Sequence, residues 1–392
     1  MKKILFALLV LSLVLFSFAS CSGKSGGPVE LTVWESTAGP DEFIKQAGAA
    51  FTANNPDITI KYVNVELGDA AKQISLDGPA GVGADIFAAP HDAIGQLVSD
   101  GHILPTADGD KIKGQVLAAC AQAITYDGKA YGYPVSAETY ALYYNKAFVT
   151  DPPKTWDDVI AFCESYNSAN KYGFMMDVGN AYYTILFTSG GGNRLFGPNG
   201  DDQTKTYLNT DAAVKGMETL VSLRKILDVA AGDLNTSFAD GAFQSGTAAM
   251  HISGPWNIKN FEDAGVDFGV APLPSLPGES TPAGSFSGTR CMFVSAYTKH
   301  PEEAAKFAEF LISPEMQKLR FDLTGAIPSI DITVDSPYIG GFLEQLKYAF
   351  PMPSVPKMSG FWDAMNNASA NIWNGADIKG ELDACDTKIL NS

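Results

Sequence analysis

Apolar positions in the first third of the chain switch back and forth between two periods. Leu31 to Trp34 (LTVW) has the pattern of a buried strand and opens into a loop from Glu35 to Pro40. Asp41 to Asn54 places its apolar residues at helical spacing, Ile58 to Val65 (ITIKYVNV) alternates as a strand does, and Asp85 to Ala88 (DIFA) is another short strand. Pro90-His91-Asp92 breaks that strand ahead of a helical stretch from Ala93 to Ser99. Period two or a short apolar run marks a strand, and a period near 3.6 marks a helix. Strands alternating with helices predict an α/β fold on a largely parallel sheet with both faces covered.

Further along, Tyr126-Asp127-Gly128-Lys129 marks a hairpin turn. Tyr131 to Tyr144 then stays extended for longer than a typical strand, which a segment crossing between two lobes near Ala137 to Tyr140 explains. Thr155 caps a predicted helix. The stretch Phe238 to Trp256 (FADGAFQSGTAAMHISGPW) reads as a helix capped by Thr236 and Ser237 and stopped by a left-handed Gly246. A strand buried on both faces follows from Thr247 to Ile252, and Gly254-Pro255 leaves Trp256 at its carboxyl end. Ligands of open α/β sheets bind outside such ends, where a flat amphipathic ring suits the C–H face of a sugar. A core Trp plugging the layer below fits the same local pattern. Pro274 to Ser287 reads as an exposed connection, Pro301 to Ile312 as a helix, Ser313 to Gly325 as a second, and Met358 to Trp373 as a third that carries Trp362.

Composition adds a compartment. Lys2 and Lys3, the apolar run Ile4 to Phe18 and the small residues Ala19-Ser20 make an export signal, too short to span a bilayer. Cys21 then resembles the lipidated first residue of a bacterial lipoprotein, ordinary cleavage nearby being the alternative. Cleavage after Ser20 takes two of 27 basic residues and none of 44 acidic ones, leaving a formal charge of −19. That charge excludes non-specific binding to nucleic acid. The length suggests two lobes. Cys120, Cys163, Cys291 and Cys385 permit two disulfides or serve as small buried apolar residues. They and the four histidines show no metal-ligand spacing.

Several stretches taken together, in order, resemble the extracellular solute-binding proteins of sugar ABC transporters, the maltose/maltodextrin-binding group above all. They are LTVW (31–34), DIFAAPHD (85–92), YGYPVSAETYALYYNKAF (131–148), PPKTWDDV (152–159), the Phe238–Trp256 stretch, PEEAAKFAEFLISPEMQ (301–317) and MPSVPKMSGFWDAM (352–365). The resemblance implies the type II periplasmic-binding-protein fold, two α/β lobes on a hinge. Residues 1–20 would be the signal peptide and 21–28 the lipidated tether. One lobe would hold 29–137 plus 287–335 and the other 141–284 plus 340–392, with the hinge near 137–140, 284–287 and 335–340.

Carried over by position, Asp92 and Glu138 match carboxylates that accept sugar hydroxyls, and Tyr182, Trp256 and Trp362 match stacking aromatics. Glu35, Asn180 and Asn366 are further candidates. Ala89, Ala93, Asn180, Asn366, Ala38 and Gly39 depart from the maltose pattern, which implies a smaller or differently branched sugar, or weaker binding of linear maltodextrins. The resemblance implies a monomer without cofactor, metal or catalytic residue. It would be lipid-anchored at Cys21 and face the periplasm or cell exterior, with an oligosaccharide ligand and the permease subunits of an ABC importer as partners. A glycoside hydrolase, or a binder of another sugar, a polyol or a cation on the same fold, is the alternative.

Overall fold

The computed structural model describes residues 27–392, so the expected signal peptide and Cys21 lie outside the described residues. The chain begins β1 (Val29–Glu35), α1 (Pro40–Asn54), β2 (Ile58–Asn64), α2 (Ala70–Asp77), β3 (Ile86–Pro90), α3 (Ile94–Ser99), α4 (Gly109–Gln115) and α5 (Ala118–Ala123). The hairpin β4 (Thr125–Tyr126) and β5 (Lys129–Ala130) precedes β6 (Tyr133–Thr139), β7 (Ala141–Asn145), α6 (Trp156–Tyr166), α7 (Ala181–Thr188) and α8 (Asp211–Ser222). Then come α9 (Thr236–Gln244), β8 (Met250–Ser253), α10 (Ile258–Asp263), β9 (Phe268–Ala271) and β10 (Phe286–Val294). The last elements are α11 (Pro301–Phe310), α12 (Pro314–Thr324), α13 (Ile339–Leu346), β11 (Phe350–Pro351), α14 (Met358–Trp373) and α15 (Ile378–Leu390).

The first sheet is ordered β11-β10-β3-β1-β2, with β6 also paired to β10. β1 runs parallel to β2 and β3 and is buried on both faces: Leu31 and Val33 on one and Trp34 on the other are buried, as are Phe43, Ile44 and Ala47 of α1. The second sheet, β8-β7-β9, carries its own core around Tyr143, Met250, Phe243, Phe261 and Phe268. Its ladders are antiparallel, and so is β10 against β3 and β6, where the sequence pattern predicts largely parallel pairing. The reversed strands are the ones arriving from the other sheet: β7 continues β6 across Tyr140, and β10 follows β9. A strand with two buried faces reads the same in either direction, so the pattern could not show this.

Buried polar bonds tie these passages together. Thr139 Oγ1 lies 2.8 Å from Ser285 Oγ and donates to Phe286 O at 2.9 Å. The fully buried Gln345 donates to Ala283 O and Ser285 Oγ, both at 3.0 Å, and accepts from Leu273 N. In a site closed to water each of these groups needs its partner, which fixes the register of the crossing strands. Phe268 of β9 stacks on Tyr338 at the start of α13, with 4.1 Å between centroids.

Local expectations were met with adjustments. Thr155 forms a full capping box with Asp158. The cap of α9 is Asn235, which accepts from Phe238 N at 3.0 Å, while Thr236 turns away to bond Asp177. Gly246 does sit at φ 71°, but the strand that follows is only Met250–Ser253. Only 277–281 of the expected exposed connection is exposed, because its flanks pack into the second core. Cys120, Cys163, Cys291 and Cys385 are free and buried, and burial pushes the Cys163 thiol up to about 12.

Candidate functional site

The carboxyl end of β3 delivers Asp92 on a turn whose first residue, His91, is locked in place. Thr289 N donates to His91 Nδ1 at 3.1 Å, so Nε2 carries the proton and donates to Met352 O at 3.0 Å. Burial holds the imidazole neutral, with its pKa down at about 4. Asp92 caps no helix. It is 6% exposed, and Oδ2 accepts from the indole Nε1 of Trp362 on α14 at 3.1 Å, joining the two sheets' helices across the cleft. Oδ1 is buried and has no partner among the described residues. Burial lifts the Asp92 pKa to about 6, against the pull of the Trp362 bond. A carboxylate kept dry without a cation is costly unless something donates to it.

Aromatic rings line the same cleft. Trp362 packs edge-on against Phe286, at 6.2 Å between centroids, and Tyr182 lies 6.3 Å from Phe286 and 6.2 Å from Trp256. Trp256 sits on a short turn after β8 and folds back over Gly254, where an added Cβ would lie 2.0 Å from the ring; only glycine permits that approach. The hydroxyl of Tyr182 is buried without a partner among the described residues, and burial, with Glu138 and Asp92 nearby, pushes its pKa well above 10.0, so it remains a neutral donor. Glu138, near the end of β6, receives Ser136 Oγ at 3.3 Å and faces a cavity of about 40 Å³ shared with Trp256, Arg290 and Arg320.

Asp92, Glu138, Tyr182, Trp256 and Trp362 therefore converge between the sheets. The three further candidates stand behind them. Asn180 caps α7 by accepting from Tyr182 N at 3.0 Å, and Asn366 accepts from Ala181 N at 2.7 Å, so both anchor the turn that carries Tyr182. Glu35 is fully buried at the end of β1, accepting from Ser36 N at 2.7 Å and Arg290 Nε at 3.2 Å, with Arg320 Nη1 at 3.6 Å. Burial alone would raise its pKa, but the Arg290 and Arg320 guanidiniums outweigh that and hold it below the usual range. The position-by-position reading missed Arg290 and Arg320. For Arg290 the signal was there, a lone cation in the buried strand FSGTRCMFV; Arg320, in PEMQKLRFDLT beside Lys318 and Asp322, gave none.

Such a site offers acceptors, neutral donors and flat rings in a cleft between two α/β units. A family profile described as "Bacterial extracellular solute-binding protein" matches residues 46–339. The chain belongs to that family. Within it, the chain is 30% identical to the galactooligosaccharide-binding protein of Bacillus subtilis, over 94% of this chain and 92% of that one. It is 32% identical to the maltooligosaccharide ABC transporter solute-binding lipoprotein of Streptococcus pneumoniae, over 86% and 82%. Among solved structures of such binding proteins, the maltotriose binding protein of Thermus thermophilus bound with maltotriose superposes with TM-score 0.85 at 27% identity, over 92% of this chain and 99% of that one. A cyclo/maltodextrin-binding protein complexed with maltotetraose gives 0.78 at 33%, over 94% and 98%. The architecture is the two-lobed fold of these proteins.

Proposed function

We propose that this protein captures a neutral oligosaccharide, of maltodextrin type, between its lobes and presents it unchanged to the permease of an ABC importer. The observation that carries the reading is the pair of buried, unpartnered polar atoms, Asp92 Oδ1 and Tyr182 Oη, set among the rings of Trp256 and Trp362. A sugar hydroxyl satisfies each of them, and the rings cover its C–H faces. The lobes are 29–137 plus 287–335 and 141–284 plus 340–392, hinged near 137–140, 284–287 and 335–340. Sugar shifts the population toward closure because it touches both lobes only there. Residues 1–20 direct export, and lipid on Cys21 holds the monomer at the membrane, facing the periplasm or cell exterior; a relative's name as a lipoprotein supports this.

Calorimetry of the full chain against maltotriose, maltotetraose and galactotriose tests the reading: saturable one-to-one binding is expected, and silence with every sugar overturns it. A carboxyl with a raised pKa is also what a glycoside hydrolase needs as its acid. Reducing ends released from maltotetraose by the pure protein would overturn binding without chemistry.

A further inference from the structure

Two guanidiniums on the cleft floor have more donors than the fold consumes. Arg290 of β10 and Arg320 of α12 share the one carboxylate of Glu35, so the trio carries an excess positive charge. Among the described residues, buried Arg320 Nε has no hydrogen-bond partner and buried Nη1 only the Glu35 carboxylate at 3.6 Å, and burial pulls the Arg320 pKa down to about 10. The guanidinium lies over the Phe43 ring, 5.1 Å from its centroid. Glu138 supplies the compensating negative charge from the strand beside Arg290, where Ser136 pairs with Arg290 and Glu138 lies two residues on along the same face, yet among the described residues it is ion-paired to neither arginine. Trp256 lines the same space, whose 40 Å³ is room for about three waters.

A carboxylate only accepts and a guanidinium only donates. The group that satisfies both across a gap must donate on one side and accept on the other. A hydroxyl does so, and it gains from the charge at each end. An anionic group would meet Glu138 and a cationic group the arginines, so the wall pair selects a neutral polyol.

We propose that Arg320, braced by Glu35 and Arg290, is the donor side of a saccharide subsite in which Glu138 is the acceptor and Trp256 the platform. One sugar hydroxyl donates a hydrogen bond to Glu138 and accepts one from an Arg320 N–H. This rests on the oligosaccharide reading above and adds to it a residue and a polarity.

The test compares the wild-type chain with Arg320→Met by calorimetry. Arg320→Met leaves Glu35 with one guanidinium, a balanced pair, and Arg320→Lys keeps the cation should the first variant fail to fold. The probes are whichever of maltotriose and galactotriose binds the wild type more tightly, and its mono-deoxy derivatives. The expected result is a loss of about 10- to 100-fold for the parent sugar in Arg320→Met and a smaller loss in Arg320→Lys. For one deoxy derivative, the one lacking the bridging hydroxyl, wild type and both variants should bind alike. Equal affinity of wild type and variants for the parent sugar overturns the proposal. So does an identical loss for every derivative, which is what a merely structural residue produces, and so does tighter wild-type binding of a uronate-bearing analogue. Wild-type silence toward every sugar overturns the oligosaccharide reading itself, and the subsite with it.

Discussion

Glu35 and Asp92 are two buried carboxylates at the carboxyl ends of neighbouring strands, β1 and β3, and they live in opposite electrostatic worlds. Glu35 has two guanidiniums and a backbone N–H, and its pKa is held low. Asp92 has one neutral indole and an orphaned oxygen, and its pKa is lifted to about 6. Burial is common to both, so burial alone does not mark a ligand-facing acid. What separates them is whether the protein itself completes the hydrogen bonds. A completed set is a structural anchor, and an incomplete one is a vacancy shaped for something else's donors.

The sharpest way to break this contrast is to neutralise each acid in turn. Glu35→Gln strands two buried guanidiniums and should cost about 3–5 kcal/mol of folding stability, measured by denaturant unfolding. Asp92→Asn should lose about 1.5–3 kcal/mol of sugar binding, roughly 10- to 100-fold by calorimetry, with folding stability at pH 7.5 unchanged or higher. If the two substitutions swap these effects, the contrast is wrong.

The next lever is pH. A sugar hydroxyl donates more strongly to ionised than to protonated Asp92, so affinity should be level above about pH 6.5 and fall below pH 6 by roughly the 10- to 100-fold that neutralisation costs, a dependence that Asp92→Asn abolishes. The empty fold responds with opposite sign at this residue. Its pKa is raised from 3.8 to about 6, so its contribution to stability is fully present below pH 3.8 and is lost as pH rises through about 6. Thermal unfolding of sugar-free wild type and Asp92→Asn across that window checks it. The smallest effect should come from Asn366→Ala, which removes only the acceptor for Ala181 N and should cost about 1 kcal/mol of stability with a few-fold loss of sugar affinity.

Much of the frame was legible in the chain because its signals are local. Thr155 and Asp158 lie three residues apart and form the capping box, and Gly246 adopts the left-handed turn that a helix stop requires. The five convergent residues were reached by resemblance over ordered stretches, and geometry then brought them together. The ion pairing of Glu35 was not legible, because Arg290 is 255 positions away and nothing near Glu35 announces it. Asn366 bonds a backbone N–H 185 positions away, so its anchoring role was equally invisible. Strand direction was hidden for a different reason, since residues buried on both faces of β7 and β10 give no sign of which way a neighbour runs.

The most direct test follows protons as sugar binds. At pH 6 Asp92 of the empty protein is about half protonated, and a hydroxyl donating to it drives that proton off. Titration calorimetry with the tightest-binding sugar, in buffers of different ionisation heat, should show release of about half a proton per sugar from the wild type and none from Asp92→Asn. Binding with no proton released, or with a proton taken up, would contradict the account.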